Sequence, residues 1–250
     1  MNFDAETARY FRDQFRAARA IALQDSEGFQ EILFSLERFG AYLTGRMQTL
    51  KSYKTNICKV ANRSALAEYV PTQHRSYHLG FARLYKLVND ARNDALHQGA
   101  FARHLTNNAT QLALVLEDAL MNNSTSAADY MVREPVTASF WQPLSFIRQQ
   151  MLANSFTYLP VFSTKGPPCW KLVSDYHIAV YLRTHNRKDR LAKTLEDAAN
   201  EHLTLESAKT CNPDMPINKV LEISEGKPVL VVDQQNPDRL LGIITPFDLL

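Results

Sequence analysis

The apolar residues of this chain fall into two regimes. Through the first half they recur at three- and four-residue spacing, the pattern of helices that bury one face. A first helix is predicted over roughly residues 4–23. A second begins near Ser26, whose hydroxyl suits a helix N-cap, carries Phe29, Ile32, Leu33, Leu36, Phe39 and Leu43, and continues to about residue 61. A third carries Tyr77, Phe81, Leu84, Val88, Ala91 and Ala95, a regular seam suited to helix packing or to a dimer contact. Gly99 offers a break, and a fourth helix turns Phe101, Leu105, Leu112, Val115, Leu116 and Ala119 inward. Together these make an all-α bundle.

In the second half short apolar runs alternate with helical stretches, and the order repeats. Strands are predicted at 135–138, 158–162 and 170–173, with a helix opening at Pro143 and another carrying Ile178, Tyr181 and Leu182. After a lead-in at 203–205, a helix carries Ile217, Val220 and Leu221, and strands follow at 228–232 and 240–244. The repeat is roughly 60 residues long. Proline marks the same division. Pro71 is the sole proline before residue 135, and the other ten follow, because helix interiors expel proline while turns and strand ends accept it. Residues 122–128, Asn-Asn-Ser-Thr-Ser-Ala-Ala, read as a linker.

Within the second repeat, Gly242-Ile243-Ile244-Thr245-Pro246-Phe247-Asp248 resembles the strand-to-helix turn of CBS domains, and Pro228-Val229-Leu230-Val231-Val232 resembles the preceding strand. Asp129-Tyr130-Met131-Val132 with Pro135-Val136 is similar to the segment that leads into such a module. The resemblance covers residues 129–250 and implies a tandem CBS pair that binds an adenine nucleotide such as AMP or ATP as a regulatory ligand. The residues suit that chemistry. A threonine at a helix start presents its hydroxyl and backbone N–H groups to an anion, and a carboxylate three residues on accepts hydrogen bonds from a ribose diol. Thr245 and Asp248 are therefore candidate nucleotide-binding residues, and the resemblance implies Pro228 as a third. The plainer alternative makes Thr245 and Asp248 a helix capping pair. In the first repeat Ser174 stands at the threonine position, but His177 stands three residues on, with Asp175 next to the serine. Ser174 remains a candidate, and a single nucleotide is expected at the second module.

Charge separates the halves. Lys plus Arg is 28 and Asp plus Glu is 26, a net of only +2, which excludes a wholly basic nucleic-acid binder. Residues 46–103, however, hold ten basic side chains against three acids, a local excess suited to a polyanion such as RNA, or to a solvated helix face. Inside this region Arg92-Asn93-Asp94-Ala95-Leu96-His97 resembles the Arg-x4–6-His motif of HEPN domains, whose fold is also all-helical. That resemblance implies a metal-independent endoribonuclease with Arg92, Asn93 and His97 as catalytic residues meeting across a homodimer. A guanidinium would stabilise phosphorane charge and an imidazole would move the proton. Residues five apart on a helix lie roughly 140° apart, so Arg92 and His97 converge only if the helix unwinds or a dimer pairs them. HEPN domains that bind nucleotides or build assemblies without catalysis are the other implied outcome.

Three scattered cysteines, Cys58, Cys169 and Cys211, make neither a disulfide framework nor a metal site. His74 and His78 are spaced for two metal ligands but lack neighbours to complete a set, so no metal is expected. No apolar run approaches the roughly 20 residues that span a bilayer, and the charged N-terminal segment is not a signal peptide. A cytoplasmic protein without a membrane partner is expected.

The fold expected is α+β multidomain: a HEPN-like bundle over residues 1–121, the linker 122–128, and CBS modules over 129–186 and 187–250. The leading expectation of function is a nucleotide-regulated, metal-independent endoribonuclease of defence or toxin type, acting on RNA as a homodimer. The alternative is a non-enzymatic CBS regulator or scaffold whose helical half serves dimerisation or partner docking.

Overall fold

Helices of the N-terminal half begin where the sequence supplies caps and end where it supplies glycine or a turn. In a computed structural model, which describes residues 4–25, 28–95, 102–121, 124–183 and 187–250, the Asp4 carboxylate accepts from the Thr7 N–H at 2.6 Å and opens α1, Ala5–Gln24. Helix α2 spans Phe29–Thr44 and stops at Gly45, whose φ of 70° is the left-handed conformation that glycine adopts without a Cβ clash. A separate helix α3 then runs over Leu50–Ala61. The single long second helix expected from periodicity is thus two, because Gly45 ends the first. Ser26, its expected cap, and Gly99, the expected break, lie outside the described residues.

A short α4, Tyr69–Gln73, follows, and then α5, Phe81–Ala95, and α6, Ala102–Met121. Tyr77 precedes α5 and is 84% exposed, so the seam begins at Phe81. The core unites Phe11 and Phe15 of α1 with Phe39 of α2, Tyr53 of α3, Leu84 and Tyr85 of α5, and Leu112 and Leu116 of α6. The approach of α2 to α3 is close enough that a Cβ at Gly40 would sit 2.3 Å from the Tyr53 ring. A part-buried ion pair ties α1 to α6. Arg19 donates Nε to Glu117 Oε1 at 2.8 Å and Nη2 to Oε2 at 3.0 Å, which also pushes the Arg19 pKa upward. Among the described residues no helix is long and apolar enough to cross a membrane.

The chain divides into two compact units, Met1–Ser124 and Thr125–Leu250. The second unit carries the internal repeat as two sheets that exchange strands. Strands β1 (Val132–Arg133), β5 (Lys209–Cys211), β6 (Val229–Val232) and β7 (Leu240–Ile244) form one sheet in the order β1-β7-β6-β5. Strands β2 (Tyr158–Ser163), β3 (Cys169–Ser174) and β4 (Glu206–Ser207) form the other, in the order β2-β3-β4. The lead-in strand of each repeat pairs antiparallel with the last strand of the other. Val132 pairs with Ile243 and Arg133 with Gly242, while Glu206 pairs with Leu172 and Ser207 with Lys171. Leu172, Leu230 and Ile243 pack together in a small core to which both sheets contribute.

Helices follow the same scheme. Helix α8, Leu144–Asn154, begins after Pro143, and α12, Ile217–Ser224, begins after Pro216. Pro216 bridges Ser126, which caps the short α7, Ala127–Tyr130; Pro143 bridges Thr194, which caps α11, Leu195–Asn200. The remaining helices are α9, Asp175–Leu182, and α10, Arg187–Ala192. Equivalent landmarks therefore lie about 70 residues apart rather than 60. The difference lies in α10, which periodicity does not reveal because it buries nothing.

Two expected boundaries divide differently in the structure. Within the stretch read as a linker, the Ala127 N–H donates to Met215 O at 2.8 Å and Ala127 is fully buried beside Val220 and Val229. Leu195, Ala198 and Leu203, placed by sequence in the second module, pack with Leu144, Ile147 and Val173 of the first. Strand exchange accounts for both: each module borrows its lead-in from across the repeat. The strand expected at 135–138 reduces to a single parallel bridge from Ala138 to Val161.

Candidate functional site

Strand β7 ends at Ile244, and the chain turns at Thr245 into a 3-10 turn at Pro246–Leu249. The Thr245 N–H and its Oγ1 both donate to Asp248 Oδ2, at 2.8 and 2.7 Å. This is the capping pair, formed in full. Two donors expected to meet an anion are thereby engaged inside the turn, and Pro246 at its first position has no N–H to offer. Asp248 is buried to 8% exposure at the floor of this corner.

A cavity of about 680 Å³ opens beside the pair. Thr245, Asp248 and Pro228 all line it, so three of the four residues proposed for nucleotide binding meet on one wall. The rest of the lining was not visible in the motif. It comes from Val132 and residues 134–136 just after β1, and from residues 154–160 around the turn between α8 and β2. Ser155 in that turn and Glu134 both adopt positive φ, 56° and 48°, which aims the chain around the opening. The signal that could have found Val132 is the strand exchange, which brings the first lead-in against β7.

Closeness at Gly242 fixes that wall. A Cβ there would fall 2.7 Å from Met131 Sδ and 2.8 Å from the Val132 carbonyl oxygen, so the residue beside Arg133 in the ladder must be glycine for β1 to dock. The walls themselves are mostly apolar, with Val132, Tyr158, Pro228, Ile243 and Phe247, while Asn154, Thr157, Thr245, Glu134 and Asp248 supply polar atoms. A largely apolar pocket with a few placed polar groups is the ordinary form of a small-molecule site.

Ser174 lies elsewhere, at the pseudo-equivalent position of the first repeat. It is 1% exposed and caps α9, accepting from the His177 N–H at 3.2 Å while its Oγ lies 2.8 Å from His177 Nδ1. His177 Nδ1 also lies 3.3 Å from Glu206 Oε1, and Glu206 in turn pairs with Lys227. Where the second repeat has an opening, this position is bridged by a chain of polar contacts. Hydrogen bonding to Glu206 pushes the Lys227 pKa above its ordinary value.

The side chains expected to cleave RNA lie outside what the structure describes. Arg92 and Asn93 belong to α5, with side chains outside what is described, and His97 lies outside the described residues altogether. Among the described residues no three His, Cys, Asp or Glu side chains group around a possible metal. Cys211 is buried in the second core, and that burial pushes its thiol up to about 11, so it stays protonated.

Comparison with known proteins bears on the same region. Residues 201–250 match the family model described as CBS domain. That span carries β4–β7, α12 and the Thr245–Asp248 turn. No curated protein matches the chain. Solved structures similar to it include a CBS domain-containing protein of unknown function from Bacillus anthracis, 14% identical over 50% of this chain and 89% of that one, with a TM-score of 0.41. A CBS-domain containing protein, ATU1752, from Agrobacterium tumefaciens is 18% identical over 50% and 90%, with a TM-score of 0.39. CBSX2, solved in complex with AMP, is 18% identical over 49% and 91%, with a TM-score of 0.37. Likenesses at this level carry no functional weight of their own; the CBS domain at 201–250 rests on the family model.

Proposed function

We propose that this protein is a regulatory CBS protein that senses an adenine nucleoside or nucleotide in the cavity beside Thr245 and Asp248. The observation that carries this reading is the convergence of Thr245, Asp248 and Pro228 on one wall of a 680 Å³ cavity whose opposite walls come from the first repeat. Asp248 receives the ribose diol, and the apolar surfaces of Val132, Tyr158 and Ile243 hold the base. Because the two repeats share the pocket, a ligand there bridges both and stabilises their mutual arrangement. The first repeat contributes walls to this cavity, while its own corner is linked through Ser174, His177, Glu206 and Lys227. The CBS-like architecture of residues 125–200 belongs to the same proposal and is supported by the repeated strand and cap pattern. The helical unit is the output element that ligand occupancy controls, as a homodimerisation or docking module.

Calorimetric titration of the full chain with AMP and with adenosine tests this. Saturable binding that is lost in Asp248→Ala, with the variant still folded by circular dichroism, is the expected result; no binding of either overturns it. The endoribonuclease alternative rests on Arg92, Asn93 and His97, and no observed geometry favours it. Cleavage of single-stranded RNA by the purified chain that His97→Ala abolishes would move the helical unit from docking module to enzyme.

A further inference from the structure

A second cavity, of about 660 Å³, lies between α8 and α9 and shares no lining residue with the Thr245–Asp248 cavity. The Asp175 N–H that opens α9 donates to Thr157 O at 3.0 Å, just beyond the end of α8, so the end of one helix meets the start of the other. The two therefore run antiparallel, which sets Arg148 of α8 beside Arg183 at the end of α9. Arg187 opens α10, which packs against both helices, and lines the same end. Asp175, Ala179 and Arg183 recur at four-residue spacing, so one face of α9 lines the cleft while His177 turns to the bridged corner.

The cleft is apolar along its length and cationic at one end. Met151, Ile178 and Leu182 are buried and form its floor, with Leu152 and Ala179 on its sides. Arg148, Arg183 and Arg187 are exposed, and none makes an ion pair among the described residues. The one acid among the described lining residues is Asp175, about 12 Å along α9 from Arg183, and its Oδ1 accepts from the Tyr176 N–H at 2.6 Å. Three like charges gathered at one end repel one another and gain from an anion placed among them.

We propose that this cleft is a ligand site of its own, taking a small amphipathic anion with an unbranched acyl chain and a carboxylate head. The chain lies on Met151, Leu152, Ile178 and Ala179, where each methylene removed from water adds to binding. The carboxylate sits among the three arginines, whose forked N–H groups match its two oxygens. Asp175 at the far end repels a second carboxylate, so a monoacid is preferred over the diacid of the same length.

The test is a calorimetric titration of the full chain with decanoate below its micellar range, beside decanol, sebacate and acetate. Saturable binding of decanoate that weakens with ionic strength is expected, with decanol and sebacate at least about tenfold weaker and no binding of acetate. Arg148→Gln combined with Arg183→Gln is expected to lower decanoate to the affinity of decanol. Ala179→Trp, at an exposed position, fills the cleft and is expected to abolish binding, with circular dichroism checking that each variant is folded. No binding of decanoate overturns the inference, as does equal affinity for decanol, or binding indifferent to both variants. Association with phosphatidylglycerol vesicles without binding of free decanoate assigns the arginines to a lipid surface. Self-association that Ala179→Trp abolishes, again without decanoate binding, assigns the face to a second copy of the chain. Either of these two outcomes also overturns the inference.

Discussion

The second unit builds the same corner twice and keeps it open once. Val132 pairs two residues before Thr245, and Glu206 pairs two residues before Ser174, so they are counterparts. Thr157 precedes Tyr158, the partner of Ser174, as Lys227 precedes Pro228, which stands next in register to the pair of Val229 with Ile244. Asp248 and His177 each lie three residues into the turn. One corner thus presents Val132, Thr157 and Asp248 and opens into a cavity; the other presents Glu206, Lys227 and His177, which link to one another. The backbone scheme is shared, and these three positions carry different side chains in the two corners.

Breaking the open corner should have the largest effect. Asp248→Ala removes both the diol acceptor and the capping pair, and is expected to weaken nucleoside binding at least a hundredfold while costing about 1 kcal/mol of stability. His177→Ala at the bridged corner should leave affinity within about twofold, as read by calorimetry. Gly242→Ala comes next. Its Cβ would meet Met131 Sδ and the Val132 carbonyl at under 3 Å, so β1 must shift, with an expected loss of about 2 kcal/mol and roughly tenfold in affinity. Its counterpart Lys171, opposite Ser207, tolerates Ala within about 0.5 kcal/mol, as denaturant melts of the two variants should show.

Converting the bridged corner sharpens the comparison further. The triple substitution Glu206→Val, Lys227→Thr and His177→Asp gives it the open corner's side chains, and a second, weaker binding event per chain is the expected outcome. The smallest effect concerns pH. Lys227 has its pKa raised above 10.5 by Glu206, so the stability this pair adds is present at neutral pH and is lost as pH rises through the raised value. The advantage of the native chain over Lys227→Met in urea midpoint should therefore vanish above that range and persist below it.

The legible parts of the site were local. Thr245, Asp248 and Pro228 lie within residues 228–248, the segment whose resemblance to a CBS strand and turn marked them. Val132, Glu134 and Thr157 could not be read, because they arrive through strand exchange and a loop of the other repeat, contacts of long sequence separation that leave no periodicity. The fold followed the same rule. Long amphipathic helices such as α1 and α6 announced themselves, whereas α10 has no buried face to give it a pattern, and its omission shortened the inferred repeat. Gly45 ends α2 although apolar residues continue at helical spacing beyond it, which is why the two helices read as one.

A crystal structure of the full chain grown with adenosine tests the central claim most directly. The account predicts one nucleoside per chain, its ribose on Asp248 and its base between Val132 and Tyr158, with the Glu206–Lys227–His177 corner still bridged. Nucleoside in the bridged corner with the Asp248 cavity empty would contradict it, as would equal occupation of both.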